Sequence, residues 1–319
     1  MVELNMDAPK VSVIIPNYNH GVYLKQRIES VLNQTLKDFE LIILDDCSTD
    51  NSREIINAYA DYPSVKQIVF NDRNSGNPFK QWQKGIELTS GEWIWIAESD
   101  DYADERFLEK MITAVRDMNS IGLVYCDSNM VSNNIVQQDT FAVLKNRRFN
   151  TDRWSKNYRN SGADEIENYL LPGGTINNSS AVLFNRHELI KANPFDVRFR
   201  YIGDKYAFIK VLACTDVLYV KERLNYYRDP FNTKHADEFV FYFYEQFLVF
   251  NWVKSNMEIS DRKRFLEGFY LNTHNSLFRD WNITKISLYG KLFRINPILL
   301  LFNIYNNFFR AVHSVFTRI

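Results

Sequence analysis

The chain has 319 residues, 45% hydrophobic and 24% charged, which is enough to bury a large core and too evenly mixed for a fibrous or disordered protein. Its formal charge is −1, yet from Arg262 onward nine Lys and Arg face two Asp and Glu, so +7 at that end offsets −8 in the rest. An acidic body argues against nucleic acid as its partner, and three scattered cysteines (Cys47, Cys126, Cys214) suit a reducing cytosol better than a disulfide framework or a zinc site.

No basic stretch followed by an apolar core opens the chain, so no signal peptide is predicted. Val11–Ile15 is a β-branched strand pattern, and Leu24, Ile28, Val31 and Leu32 mark a helix from about 23 to 34. Phe39–Leu44 reads as a second strand, after which polar residues 45–52 lead into a helix holding Ile55, Ile56 and Tyr59. A strand at 65–70, a helix at 79–88, a strand at 93–97, a helix at about 104–117 and a strand at 121–125 continue the alternation. Residues 129–163 show no periodicity and read as an irregular, polar middle. A strand at 180–184, a helix after Asp204 and a strand at 217–220 follow. From Asp237 the pattern turns helical and aromatic, ending in a repeat of Leu301, Ile304, Tyr305, Phe308, Val312, Val315 and Phe316. The late apolar run 298–309 is too short and too rich in Asn to span a bilayer.

Strands alternating with helices predict an α/β fold whose mostly parallel sheet is covered on both faces. Ligands of such sheets bind beyond the carboxyl ends of the strands, and three polar clusters fall there: residues 16–19, 45–48 and 98–101. The last puts Glu98, Asp100 and Asp101 directly after an apolar strand, a pattern that suits a hard divalent cation or, more simply, a solvated turn capping the next helix. Neither glycine-rich phosphate motif is present, so a carboxylate-held ion is the other way to neutralise a diphosphate.

The runs VSVIIPNYN (11–19), SVLNQT (30–35), FELIILDDCSTD (39–50) and GEWIWIAESDD (91–101), in this order and spacing, resemble family 2 glycosyltransferases, inverting enzymes of GT-A fold. The resemblance is strong over residues 10–127 and scattered up to 228. It implies a GT-A-like catalytic domain over 1–230, with a nucleotide-binding half at about 10–127 and an acceptor half at about 128–230, and a helical C-terminal region over 231–319. Carried over by position, it implies that Pro16 and Tyr18 line a nucleobase pocket, that Asp46 hydrogen-bonds the base, and that Asn74 lies near the nucleotide. Asp100 would face the ribose or donor sugar, Asp101 would ligate Mn2+ or Mg2+, and Asp204 would be the general base, with a helix cap as its alternative role. Three departures stand out: Glu98 where the family often has Asp, QWQKG (81–85) where many relatives have Ala-Arg-Asn-x-Gly, and YRDP (227–230) for Tyr-Arg-x-His. The last leaves Arg228 open between a phosphate contact and a surface arginine.

The activity so implied moves a sugar from a nucleotide-diphosphate donor, a UDP-sugar by family frequency, to a hydroxyl of a glycan or lipid-linked oligosaccharide. An inert sugar-nucleotide- or glycan-binding protein on the same scaffold is the alternative. The implied setting is the cytoplasm, with the basic helical end available to the inner membrane face or to a second subunit.

Overall fold

The computed structural model describes residues 9–228, 236–273 and 283–305. The chain divides into two units, with boundaries at Glu165/Ile166, Gly174/Thr175 and Pro230/Phe231.

The first unit is one sheet with flanking helices. Its strands are β1 (Val11–Asn17), β2 (Phe39–Asp45), β3 (Val65–Phe70), β4 (Trp93–Ile96), β5 (Tyr102–Ala103), β6 (Ile121–Ser132), β7 (Ile135–Thr140), β8 (Tyr158–Ser161), β9 (Val182–Asn185) and β10 (Asp216–Arg228). The order is β3-β2-β1-β4-β9-β6-β10-β5, with β7 added to β6 and β8 to β10. β3, β2, β1 and β4 are mutually parallel, whereas β9 runs antiparallel to both neighbours. Every residue of β1, β2 and β4 is buried, as expected of strands covered on both faces.

The helices up to residue 212 are α1 (Gly21–Leu32), α2 (Ser52–Asn57), α3 (Pro78–Glu87), α4 (Phe107–Val115), α5 (Phe141–Phe149), α6 (Gly162–Glu165), α7 (Leu171–Gly173), α8 (Arg186–Ala192) and α9 (Gly203–Leu212), of which α7 belongs to the second unit. α1 buries Leu24, Arg27, Ile28 and Val31, one stripe of a 3.6-residue helix. Against that stripe lie Val13, Ile15 and Trp95 in a single apolar cluster. Gly85 lets α3 sit on β1, because a β-carbon there would lie 2.6 Å from Ile14.

The middle region is not irregular. β6 runs on to Ser132, pairs with β7, and α5 and β8 follow. β7 hides from pattern reading because it is an edge strand with water on both sides; Ile135 is 66% exposed. α5 hides because its core-facing residues are Ala142 and Lys145. The Lys145 ammonium donates to the Thr175 carbonyl (3.1 Å) and lies 5.2, 5.4 and 5.3 Å from the rings of Tyr125, Trp154 and Tyr219. Burial pushes its pKa down to about 8, against the pull of Asp127 and Glu165.

Native Lys145 therefore sheds its proton near pH 8 and the unfolded lysine near 10.5. Between those values the unfolded chain binds more protons, so native stability rises with pH. Urea unfolding of wild type and Lys145→Met should differ by a constant amount below pH 8 and by an increasing margin favouring wild type above it.

The second unit joins Ile166–Gly174 to α10 (Ala236–Asn256), α11 (Arg262–Thr273), α12 (Ile283–Ile295) and a helix at 297–305. Phe250 lies 5.3 Å from Phe265 and 5.2 Å from Phe269, giving the unit an aromatic core. Glu167 belongs here because it accepts from the Ser260 hydroxyl (2.8 Å) and the Asp261 amide (2.6 Å). The predicted repeat at Phe308, Val312, Val315 and Phe316, the opening residues 1–8, and positions 229–235 lie outside the described residues.

Candidate active site

The carboxyl ends of β1, β2 and β4 surround a cavity of about 370 Å³. Pro16, Tyr18 and His20 come from the end of β1, Asp46 from the end of β2, Glu98 and Ser99 from the end of β4, and Asn74 and Asn77 from the turn before α3. The strand-end loops are tied to one another. Asn17 donates to Asp45 (2.8 Å), Asn19 accepts from the Thr49 amide (2.8 Å), and the Gly21 amide at the start of α1 donates to Asp50 (2.8 Å). Asn19 and Cys47 hold left-handed backbone angles (φ 55° and 62°), the turns that aim both loops at the cavity.

Each residue singled out from sequence has a definite place. Pro16 is buried in the wall, and Tyr18 is 46% exposed, its ring available to a ligand. Asp46 is 4% exposed and already accepts from Asn71 (2.6 Å), the Ser75 amide (2.9 Å) and hydroxyl (2.8 Å) and Gln81 (2.9 Å). Its carboxylate thus organises the 71–77 turn, which Asn74 supports by donating to the Asp46 carbonyl (3.1 Å).

The acid turn is divided. Glu98 accepts from the Trp82 indole (2.7 Å); removal from water and then the Asp100 charge push its pKa up to about 8. Asp101, 2% exposed, accepts from the Arg228 amide (2.9 Å) and from Asn178 (3.1 Å). Burial and Asp100 raise it to about 7, with Arg27 opposing. Asp100 is only half-buried. Among the described residues no three His, Cys, Asp or Glu side chains converge to hold an ion by themselves.

Two arginines lie beneath the turn, and sequence reasoning missed Arg27 altogether and left the place of Arg228 open. Arg27, fully buried, donates to the Glu98 carbonyl (2.8 Å) and to Ser180 (3.2 Å), and burial pushes its pKa down to about 10. Arg228 is not a surface residue here. It is 7% exposed, 4.8 and 4.7 Å from the rings of Tyr23 and Tyr102, and donates to the Asp100 carbonyl (2.7 Å) and to Gln26. A signal did exist for Arg27, since it falls on the apolar stripe of α1 and a buried cation there calls for acids opposite.

Asp204 lies in the first turn of α9, half-buried, with one oxygen accepting the Lys205 amide (2.7 Å). Its charge makes a small contribution to the rise of the Glu98 pKa, after burial and the Asp100 and Asp101 charges. Gly203 lets the start of α9 pack against α3: a β-carbon there would come within 2.4 Å of the Phe79 ring. The preceding segment is fixed by Asn77, which donates to the Phe199 carbonyl (2.8 Å).

This mixed sheet, with a cleft at its strand ends, is GT-A-like and matches S. aureus TarS in complex with UDP-GlcNAc at a TM-score of 0.69, 16% identity, over 97% of this chain and 92% of that one. The mannosyltransferase PcManGT from Pyrobaculum calidifontis, in complex with GDP-Man and Mn2+, matches at 0.59 and 13% identity over 95% and 88% of the two chains. The model of the family described as Glycosyl transferase family 2 matches residues 12–173, just over half of the chain, and this protein belongs to that family. The poly(ribitol-phosphate) beta-N-acetylglucosaminyltransferase TarP of Staphylococcus aureus is 40% identical over 113 residues, 35% of this chain and 34% of TarP. The first curated relatives are matched over only 34% to 42% of their own length.

Proposed function

We propose that this protein transfers a sugar from a UDP-sugar to a hydroxyl of a surface glycan or its lipid-linked precursor, inverting the anomeric carbon. The observation that carries the reading is the convergence of Tyr18, Asp46, Glu98 and the Asn74 turn on one cavity. UDP-GlcNAc in TarS and the polymer named for TarP support the donor and acceptor classes. Tyr18 stacks on the nucleobase beside Pro16, and Asp46 accepts from the base by releasing one of its present donors. Residues 10–127 hold the donor and 128–230 shape the acceptor side. The three free cysteines fit a cytoplasmic reaction.

The donor set suits Mn2+ or Mg2+, because hard carboxylate oxygens crowd one turn and a cation would relieve the Asp100 charge that adds to burial in lifting Glu98 and Asp101. An ion here would be held by one or two protein carboxylates, the rest of its ligands being oxygens that this chain does not supply. When bound, it neutralises charge on the departing diphosphate. We assign its protein ligand to Asp100, which is accessible, and give Asp101 the task of fixing the turn; the family resemblance suggests the opposite division. Asp204 takes the proton of the acceptor hydroxyl as that oxygen attacks the anomeric carbon opposite the leaving diphosphate.

Thermal shift with a nucleotide-sugar panel tests the donor class. A UDP-sugar at about 100 times its dissociation constant should add about 2.7 kcal/mol, a rise of roughly 5–10 °C, and the rise should depend on Mn2+. No shift with any nucleotide sugar would leave the scaffold inert.

A further inference from the structure

We propose that the second unit carries a docking surface for an anionic membrane, made of an apolar groove edged with cations and a contiguous exposed apolar stripe. The groove, about 700 Å³, is lined by Phe265, Leu266 and Ile298 together with Lys254 and Arg262; Glu258 is the one acid that lines it. Lys254 and Arg262 are exposed, so their stems can cover apolar surface while their heads reach outward.

On the helix at 297–305, Leu299, Leu300 and Asn303 are buried, whereas Ile298, Leu301 and Tyr305 are 64%, 57% and 60% exposed. Those three recur at i, i+3 and i+7, a single face leading out of the groove. No helix among the described residues is long and apolar enough to cross a membrane, so the contact lies in the plane of the interface.

Charge selects the occupant. Arg262, Lys263 and Arg264 fill the first turn of α11, where the helix dipole is already positive and cations are disfavoured. Asp261 caps the Arg264 amide (3.0 Å) and Lys263 lies 4.0 Å from Glu267. Lys254, Arg262 and Arg264 have no carboxylate within ion-pair distance among the described residues. A second copy would bring this patch against itself, cation against cation. An anionic leaflet instead turns each cation into an attraction and accepts the apolar stripe. Residues 306–319 extend the bias with Arg310 and Arg318 and no acid.

Flotation of the full chain tests this, using phosphatidylcholine vesicles with and without about one-third phosphatidylglycerol. Binding is expected on the anionic vesicles alone and should fall with salt. Lys254→Gln and Arg262→Gln should each weaken it about fivefold. Ile298→Asp and Leu301→Asp, at exposed positions, should abolish it while the donor-induced thermal shift of the same variants is retained. Absence of vesicle binding, equal binding to neutral vesicles, or variants that bind like wild type would overturn the proposal. So would a concentration-dependent dimer, seen by sedimentation, that Ile298→Asp dissolves without any vesicle binding.

Discussion

Asp204→Asn is expected to slow transfer by about 10²–10⁴-fold, the range for removing a positioned general base, while the Mn2+-dependent thermal shift by the donor is unchanged. The substitution separates the two roles open to this residue. Asp204 lies inside the first turn of α9, behind the N-cap residue Ile202, and accepts the Lys205 amide, so steadying the helix start is a role that also accounts for its placement. Asparagine keeps an acceptor for that amide, and losing the charge at a helix start costs only about 0.3–1 kcal/mol. A helix-start role alone therefore leaves turnover nearly intact, whereas a base does not, because the amide cannot take the hydroxyl proton. The loss should appear in kcat rather than in donor affinity, as for an interaction made only in the transition state. Near-normal turnover of Asp204→Asn with a true acceptor would move the base elsewhere, with Glu98 the neighbouring carboxyl to examine next.

What could be read from sequence tracks how local the cause was. β1, β2 and β4 are legible because both faces are buried and the residues are apolar without a break. The three polar clusters are legible because a sheet edge places strand-end loops together whatever their partners. The partners themselves are not. Asp101 meets Asn178 and Arg228 across 77 and 127 residues, and nothing local to any of them announces the contact. The short Ile166–Gly174 segment joins the helical unit through Glu167 and through Leu171, whose carbonyl accepts from Asn272 (2.9 Å). β9 reads as an ordinary strand, and only its pairing with β4 and β6 reveals that it breaks the parallel run. α5 fails for the opposite reason: Lys145 occupies a core position that pattern reading reserves for apolar residues.

The acid turn carries the second large effect, and the two aspartates should part company. Asp100→Asn is expected to erase the Mn2+-dependent part of the donor thermal shift and to slow transfer by about 10²–10³-fold, several kcal/mol of charge stabilisation. The ligand-free melting temperature should hardly move, because Asp100 is half-buried and its backbone carbonyl, not its side chain, holds Arg228. Asp101→Asn should behave the other way. Its two oxygens accept from Asn178 and from the Arg228 amide, and an asparagine turns one acceptor into a donor facing another donor. Leaving such a buried group unsatisfied costs about 1–3 kcal/mol, so the free protein should melt lower while a Mn2+-dependent shift survives. Arg228→Met separates the turn from the ion further. It removes the donor to the Asp100 carbonyl and the cation between Tyr23 and Tyr102 but leaves every carboxylate in place, so Mn2+ dependence should weaken without disappearing. If instead Asp101→Asn lost all Mn2+ dependence and Asp100→Asn kept it, Asp101 would be the ligand, and its buried hydrogen bonds would be the means of aiming it.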